Sequence, residues 1–189
     1  MKIMFDVDGV LATGWVEIVA SLGGISSVPE LRSYDGWPGF SGKQWDAAVL
    51  KTHGIKDLWL QMNPMVTPEQ FVRISYLNID HDVYFVTNRY GFNPKGMTEK
   101  WLFDHGVYNP TVIICKNKAE FAAAVGINYS IEDKPGNAVC ISYMARGCKS
   151  YLLDNVNNRF DPNVMGARVI RVNSVDEYLS DIESPKCHQ

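Results

Sequence analysis

Ile3-Met4-Phe5-Asp6-Val7-Asp8-Gly9-Val10 is the stretch on which the reading of the fold turns. An apolar run at 3–5 followed so soon by Gly9 reads as a short buried strand that stops abruptly and presents its next side chains at the carboxyl edge of a sheet. In open α/β folds that edge is where ligands bind. Two carboxylates one residue apart can divide labour there, one attacking or holding a cation and the other moving a proton. An Asp-rich turn gives the same local pattern, since Asp and Gly are ordinary turn residues, so the remainder of the chain has to arbitrate.

Downstream, residues 16–22 are expected to form a helix ended by Gly23-Gly24. Residues 25–65 change character: Gly, Pro and Ser are frequent, and Tyr34, Trp37, Phe40, Trp45 and Trp59 concentrate there. This reads as an insertion beside the main sheet, giving a core of residues 1–13 and 66–189 and a small, partly helical cap of residues 14–65. Thr67-Pro68-Glu69-Gln70 then carries an N-cap, a first-position Pro and a capping-box Gln. Strands are expected at 83–86, 112–115, 127–131, 150–153 and 169–172. Helices alternate with them, opened by Asn93-Pro94, Asn117, Pro135 and a second capping box at Ser174-Val175-Asp176-Glu177. Such alternation predicts an α/β fold of three layers, a Rossmann-like parallel sheet between helices.

At 189 residues the chain can bury a full core, and its 46% hydrophobic and 21% charged residues are those of a globular protein. A formal net charge of −3 with scattered Lys and Arg gives no reason to expect a nucleic-acid polymer or an anionic membrane as partner. No apolar stretch exceeds strand length, and the first strand begins too early to leave room for a signal peptide. Cys115, Cys140, Cys148 and Cys187 lack zinc-site spacing, and the apolar surroundings of Cys115 and Cys140 read as reduced core thiols, which points to a cytoplasmic location.

Four expected strands end in polar residues suited to phosphate or metal: Asp6/Asp8, Thr87, Lys116/Lys118 and Glu132/Asp133. In a parallel sheet these ends point the same way and converge. With DVDGV at 6–10, YFVTNR at 84–89, a Lys after the following strand and IEDKPGNAV at 131–139, the chain resembles the haloacid dehalogenase superfamily of phosphohydrolases. Within it, the chain is most similar to small 5'(3')-deoxyribonucleotidase-like proteins. The resemblance implies a parallel three-layer core, a cap inserted after the first motif, and Mg²⁺-dependent phosphoryl transfer through an aspartyl-phosphate.

It further implies a role for each position. Asp6 would be the nucleophile and touch Mg²⁺, and Asp8 would protonate the leaving alkoxide, then take a proton from water, while its backbone carbonyl ligates the metal. Thr87 and Asn88 would bind phosphate, and Asp133 would complete the protein's metal ligands. Lys118 is favoured over Lys116 as the lysine that reaches phosphate and nucleophile, on the family's spacing, with Lys116 as the alternative. Related nucleotidases usually carry two Asp where this chain has Glu132-Asp133, so Glu132 is expected behind the metal ligands, holding a bound water or Lys118.

The substrate would be a small phosphorylated molecule chosen by the cap. Trp37, Phe40 and Trp45 are the candidates for stacking on a nucleobase, worth about 1–3 kcal/mol per base, and packing the cap is the competing use of the same side chains. A (deoxy)nucleoside monophosphate is therefore the expected substrate. The alternatives are a sugar phosphate or other small metabolite, a nucleic-acid terminal phosphate, or a non-catalytic phosphate-binding protein of the same fold. Residues 91–98 imitate a P-loop, but Met97 stands where its Lys must be. His53, His81, His105 and His188 share no metal-ligand spacing.

Overall fold

Along β1 (Lys2–Phe5), Ile3 and Phe5 enter one buried apolar cluster and Met4 another, the alternation of a strand covered on both faces. The same split runs through β4 (Asp82–Thr87), with Val83 and Phe85 in the first cluster and Val86 in the second. Three helices cover the first face: α3 (Pro68–Asp80) through Phe71 and Ile74, α4 (Pro94–Asp104) through Trp101 and Leu102, and α7 (Val175–Glu183) through Tyr178 and Leu179. The second face receives α5 (Lys118–Val125) through Ala119 and Ala122 and α6 (Pro135–Met144) through Ile141.

These observations come from a computed structural model that describes residues 1–28, 40–159, 161, 164 and 167–184. With β5 (Thr111–Ile114), β6 (Tyr129–Glu132), β7 (Lys149–Leu153) and β8 (Val169–Val172), the central sheet has six strands, all parallel, in the order β5-β4-β1-β6-β7-β8. The three-layer α/β fold expected from the alternation of elements is the fold observed. β1 sits between β4 and β6, where the chain reverses its direction of travel across the sheet and where open α/β sheets leave a crevice.

Local signals explain most element boundaries. Thr67 accepts the Gln70 amide while the Gln70 side chain accepts the Thr67 amide, the complete box read from the sequence. Ser174 forms only half of its box: its hydroxyl accepts the Glu177 amide, but the Glu177 carboxylate takes the N–H of Asn173, one residue earlier. Cys140 is exposed on α6 rather than a core thiol, whereas Cys115 packs against the second cluster.

The insertion leaves and rejoins the core through a two-stranded antiparallel ribbon, β2 (Ala12–Thr13) with β3 (Asn63–Pro64). Between them, α1 (Trp15–Leu22) packs on α2 (Gly42–Thr52), which opens on a capping box at Ser41 and Gln44 that the sequence reading did not single out. A 3₁₀ turn, Leu58–Gln61, then returns the chain to α4. Tyr34, Trp37, Cys187 and His188 lie outside the described residues. No helix among the described residues is long and apolar enough to cross a membrane.

Candidate active site

Strand register builds the centre of the site. Phe5 pairs with Ile131, and the Asp6 amide continues the ladder to the Ile131 carbonyl at 3.0 Å, so Asp6 and Glu132 leave their strands at the same level. Met4 and Asp6 share a face by the period of two, and Glu132 shares it with Ser130. That face is the one covered by α5, whose first residue is Lys118. Its ammonium stands 2.5 Å from Asp6 Oδ2 and 3.1 Å from Glu132 Oε1, with all three side chains buried. Asp6 Oδ1 accepts the amide of Val7 at 2.6 Å. Glu132 Oε2 accepts from Asn137 on α6 at 3.0 Å and from Lys118 at 3.2 Å.

Asp133 completes a group in which carboxylate oxygens of Asp6, Glu132 and Asp133 all lie within 4.8 Å of one another. Its backbone is held from behind: the buried Asn158 donates to the carbonyls of Asp133 and Leu153, both at 2.8 Å. Gly9 gives its carboxylate room, since a Cβ there would stand 2.2 Å from Asp133 Oδ2. Burial, then the Asp6 charge, push the Asp133 carboxyl up to about 7 and raise Glu132 well above the carboxylate range. Burial opposes the Lys118 ammonium, but Asp6 and Glu132 outweigh it and its pKa rises.

When all three carboxyls are ionised they exceed the one ammonium by two negative charges, which is the charge of one divalent cation. Glu132 Oε1 is buried and, although it faces Lys118, accepts no aligned hydrogen bond. An oxygen-only donor set with excess negative charge suits a hard cation such as Mg²⁺. The residues present therefore fit the metal implied by the resemblance, and Glu132 holds Lys118, one of the two contacts expected of it from the sequence.

Asp8 is held differently. Its Oδ2 accepts from Thr87 Oγ1 at 3.0 Å and from Arg89 Nε at 2.9 Å, and its Oδ1 from Arg89 Nη2 at 2.7 Å. The Thr87 hydroxyl, expected on phosphate, is thus donated to Asp8, although Thr87 does line the cavity. Arg89 stands in the quoted motif at 84–89 but was given no role. What marks it in the folded chain is complete burial of a charged side chain, which a sequence does not display.

The site opens into a cavity of about 500 Å³. Asp6, Asp8, Thr87, Asn88, Lys116, Lys118 and Asp133 reach it from the core, so the expected catalytic, phosphate and metal residues converge on one space. Lys118 contacts Asp6, whereas Lys116 is exposed at the rim. From the insertion, Trp45 lines the cavity, and so do Trp15 and Trp59. Phe40 does not: it is buried against Val19, Ala48 and the edge of Trp45, 5.9 Å between ring centroids. Trp15, outside the segment whose aromatics drew attention, takes the place expected of Phe40. Comparison with protein-family models and with curated proteins finds no match to this chain.

Proposed function

We propose that this protein is a Mg²⁺-dependent phosphomonoesterase that works through an aspartyl-phosphate on Asp6, with nucleoside monophosphates as its substrate class. The observation that carries the reading is the Asp6–Lys118 pair at 2.5 Å, set among three carboxylates at the carboxyl edge of β1 with Asp8 two residues on. A purely structural charge pair has no use for the surplus carboxylates or for an opening into a cavity. Asp6, Asp133 and the Asp8 backbone carbonyl, with Glu132 beside them, would hold Mg²⁺, which would supply charge neutralisation between the phosphate and the carboxylates.

In the first step a carboxylate oxygen of Asp6 attacks phosphorus as the bond to the leaving oxygen breaks, and Asp8 gives that oxygen its proton. In the second, Asp8 takes a proton from water, the water oxygen attacks phosphorus, and Asp6 is released with inorganic phosphate. Lys118 keeps the Asp6 carboxylate in place and meets the charge that builds on the transferred group. The amides after Thr87 and the Asn88 side chain serve the phosphate oxygens. Thr87 joins them only by turning its hydroxyl away from Asp8. The indoles of Trp45 and Trp15, which line the same cavity, favour a substrate with a planar base over a bare sugar phosphate.

The test is release of inorganic phosphate from a panel of deoxy- and ribonucleoside monophosphates and sugar phosphates, with Mg²⁺ and after chelation. Turnover that is metal-dependent and best on nucleotides is the expected result. No release from any ester, or full turnover after exhaustive chelation, overturns it, and preference for sugar phosphates moves the substrate class to that alternative.

A further inference from the structure

The Arg89 side chain is fully buried, which an arginine tolerates only when its donors are met. Besides the two bonds to Asp8, Nη1 donates to Thr98 Oγ1 at 2.9 Å, and Thr98 in turn donates to the Pro94 carbonyl at 2.7 Å. The guanidinium carbon lies 4.7 Å from the centre of the Trp59 ring. Trp59 is itself fixed, its indole N–H donating to the Tyr90 carbonyl at 2.9 Å and its ring packed on Trp15, 4.9 Å between centroids. Arg89 is not among the residues that line the cavity; of the side chains it touches, Asp8 and Trp59 are, and Asp8 is the one that can exchange a proton.

A carboxylate offers about four lone-pair positions. Oδ2 of Asp8 has two donors, and Oδ1 has one. A bidentate guanidinium pair fixes the carboxylate plane, which a lysine would not do. Asp8 is partly open to the cavity, and the one uncommitted position is on Oδ1.

We infer that Arg89 is the positioning residue of Asp8: its fork, seated between Trp59 of the insertion and Thr98 of α4, holds the carboxylate so that Oδ1 is the atom that exchanges the proton with the leaving oxygen and with the attacking water. The inference rests on the phosphomonoesterase reading above. It also ties the insertion to the chemistry, since one wall of the guanidinium slot belongs to the cap.

The experiment compares Arg89→Met with the wild type on the best alkyl phosphate of the panel and on p-nitrophenyl phosphate, whose phenolate departs without needing a proton. On the alkyl ester kcat should fall about 10²–10⁴-fold with KM little changed, the usual worth of a placed acid or base. On p-nitrophenyl phosphate the first turnover should persist as a burst of phenolate, while slowed hydrolysis leaves the phosphoryl adduct on Asp6 visible by intact mass. Equal losses on both esters without a burst, or an unchanged kcat on the alkyl ester, overturns the inference. Should Arg89→Met fail to fold by circular dichroism, Thr98→Val keeps the side-chain shape and removes the Nη1 acceptor. It should show the same pattern in smaller degree, and equal slowing or no slowing on both esters overturns the role. A wild type that acts on no ester and forms no adduct sinks the phosphomonoesterase reading and Arg89's role together. An active wild type beside an indifferent Arg89→Met sinks the role alone.

Discussion

A Cβ on Gly9 would have to occupy space held by Asp133, and the backbone there has φ +87°, where an L side chain is strained. Gly9→Ala should therefore cost about 1–3 kcal/mol of stability and displace a carboxylate of the proposed cation site. Thermal unfolding and a Mg²⁺ titration check it, and wild-type values in both would mean that Asp133 moves aside freely. Asp6→Asn keeps the shape of the side chain and removes the proposed nucleophile, so phosphate release should be abolished while circular dichroism stays native. Near-normal turnover in the purified variant would remove Asp6 from that role. The Asp6-Val7-Asp8-Gly9 reading was available from the sequence because a strand end and a glycine are local signals. Arg89 and Asn158 were not, because their roles arise from contacts with residues far away in the chain, Arg89 on Asp8 and Asn158 on the Asp133 carbonyl, whereas Asn137 is only five residues from Glu132 but lies past a strand end and a helix start that the sequence does not orient.

Among the elements, the insertion is where sequence and structure diverge most. Its aromatic density was legible, but which rings face the cavity depends on how α1 turns on α2, and only that packing buries Phe40 while leaving Trp45 and Trp15 on the wall. Helix starts were legible wherever the cap is made by neighbouring residues, as at Thr67. Ser174 shows the limit, since Glu177 can reach two successive amides and takes that of Asn173. Two substitutions separate the wall from the packing. Trp45→Ala should raise KM for nucleoside monophosphates by roughly 5- to 150-fold, the equivalent of about 1–3 kcal/mol of lost stacking, and leave p-nitrophenyl phosphate turnover nearly intact. Phe40→Ala should instead destabilise the insertion by about 3–5 kcal/mol and depress both substrates alike. Steady-state kinetics on the two esters, with a melting curve for each variant, decides. Equal losses for Trp45→Ala on both esters would show that it too is packing, and the nucleotide assignment would lose its main physical support.

At the scale of the whole molecule, the sheet order brings four sequence-distant strand ends to one crevice, and the concentration of negative charge there links folding to pH and metal. In the cation-free protein the raised carboxyls of Asp133 and Glu132 bind protons more tightly in the native state than in the unfolded chain, where carboxylates titrate near about 4. Between that value and the native one, about 7 for Asp133, the native state holds the extra protons, so stability falls as pH rises through this window. This is the reverse of an ordinary salt-bridged carboxylate. The Lys118 ammonium does not offset it, because its pKa is raised and it stays charged throughout. A divalent cation bound by the ionised carboxylates replaces the protons and stabilises only the native state, by an amount that grows with its concentration over its Kd. In chelator, the melting temperature should accordingly decline from pH 5 toward neutrality by several degrees, about 4 °C or less for each kcal/mol lost in a chain of this size. Saturating Mg²⁺ should restore it near neutral pH and do little at pH 5, where Asp133 and Glu132 hold protons. Differential scanning calorimetry across that range, with and without Mg²⁺, measures both effects. A melting temperature that rises with pH in chelator, or a Mg²⁺ shift independent of pH, would show that these carboxylates do not form one strained, cation-seeking cluster.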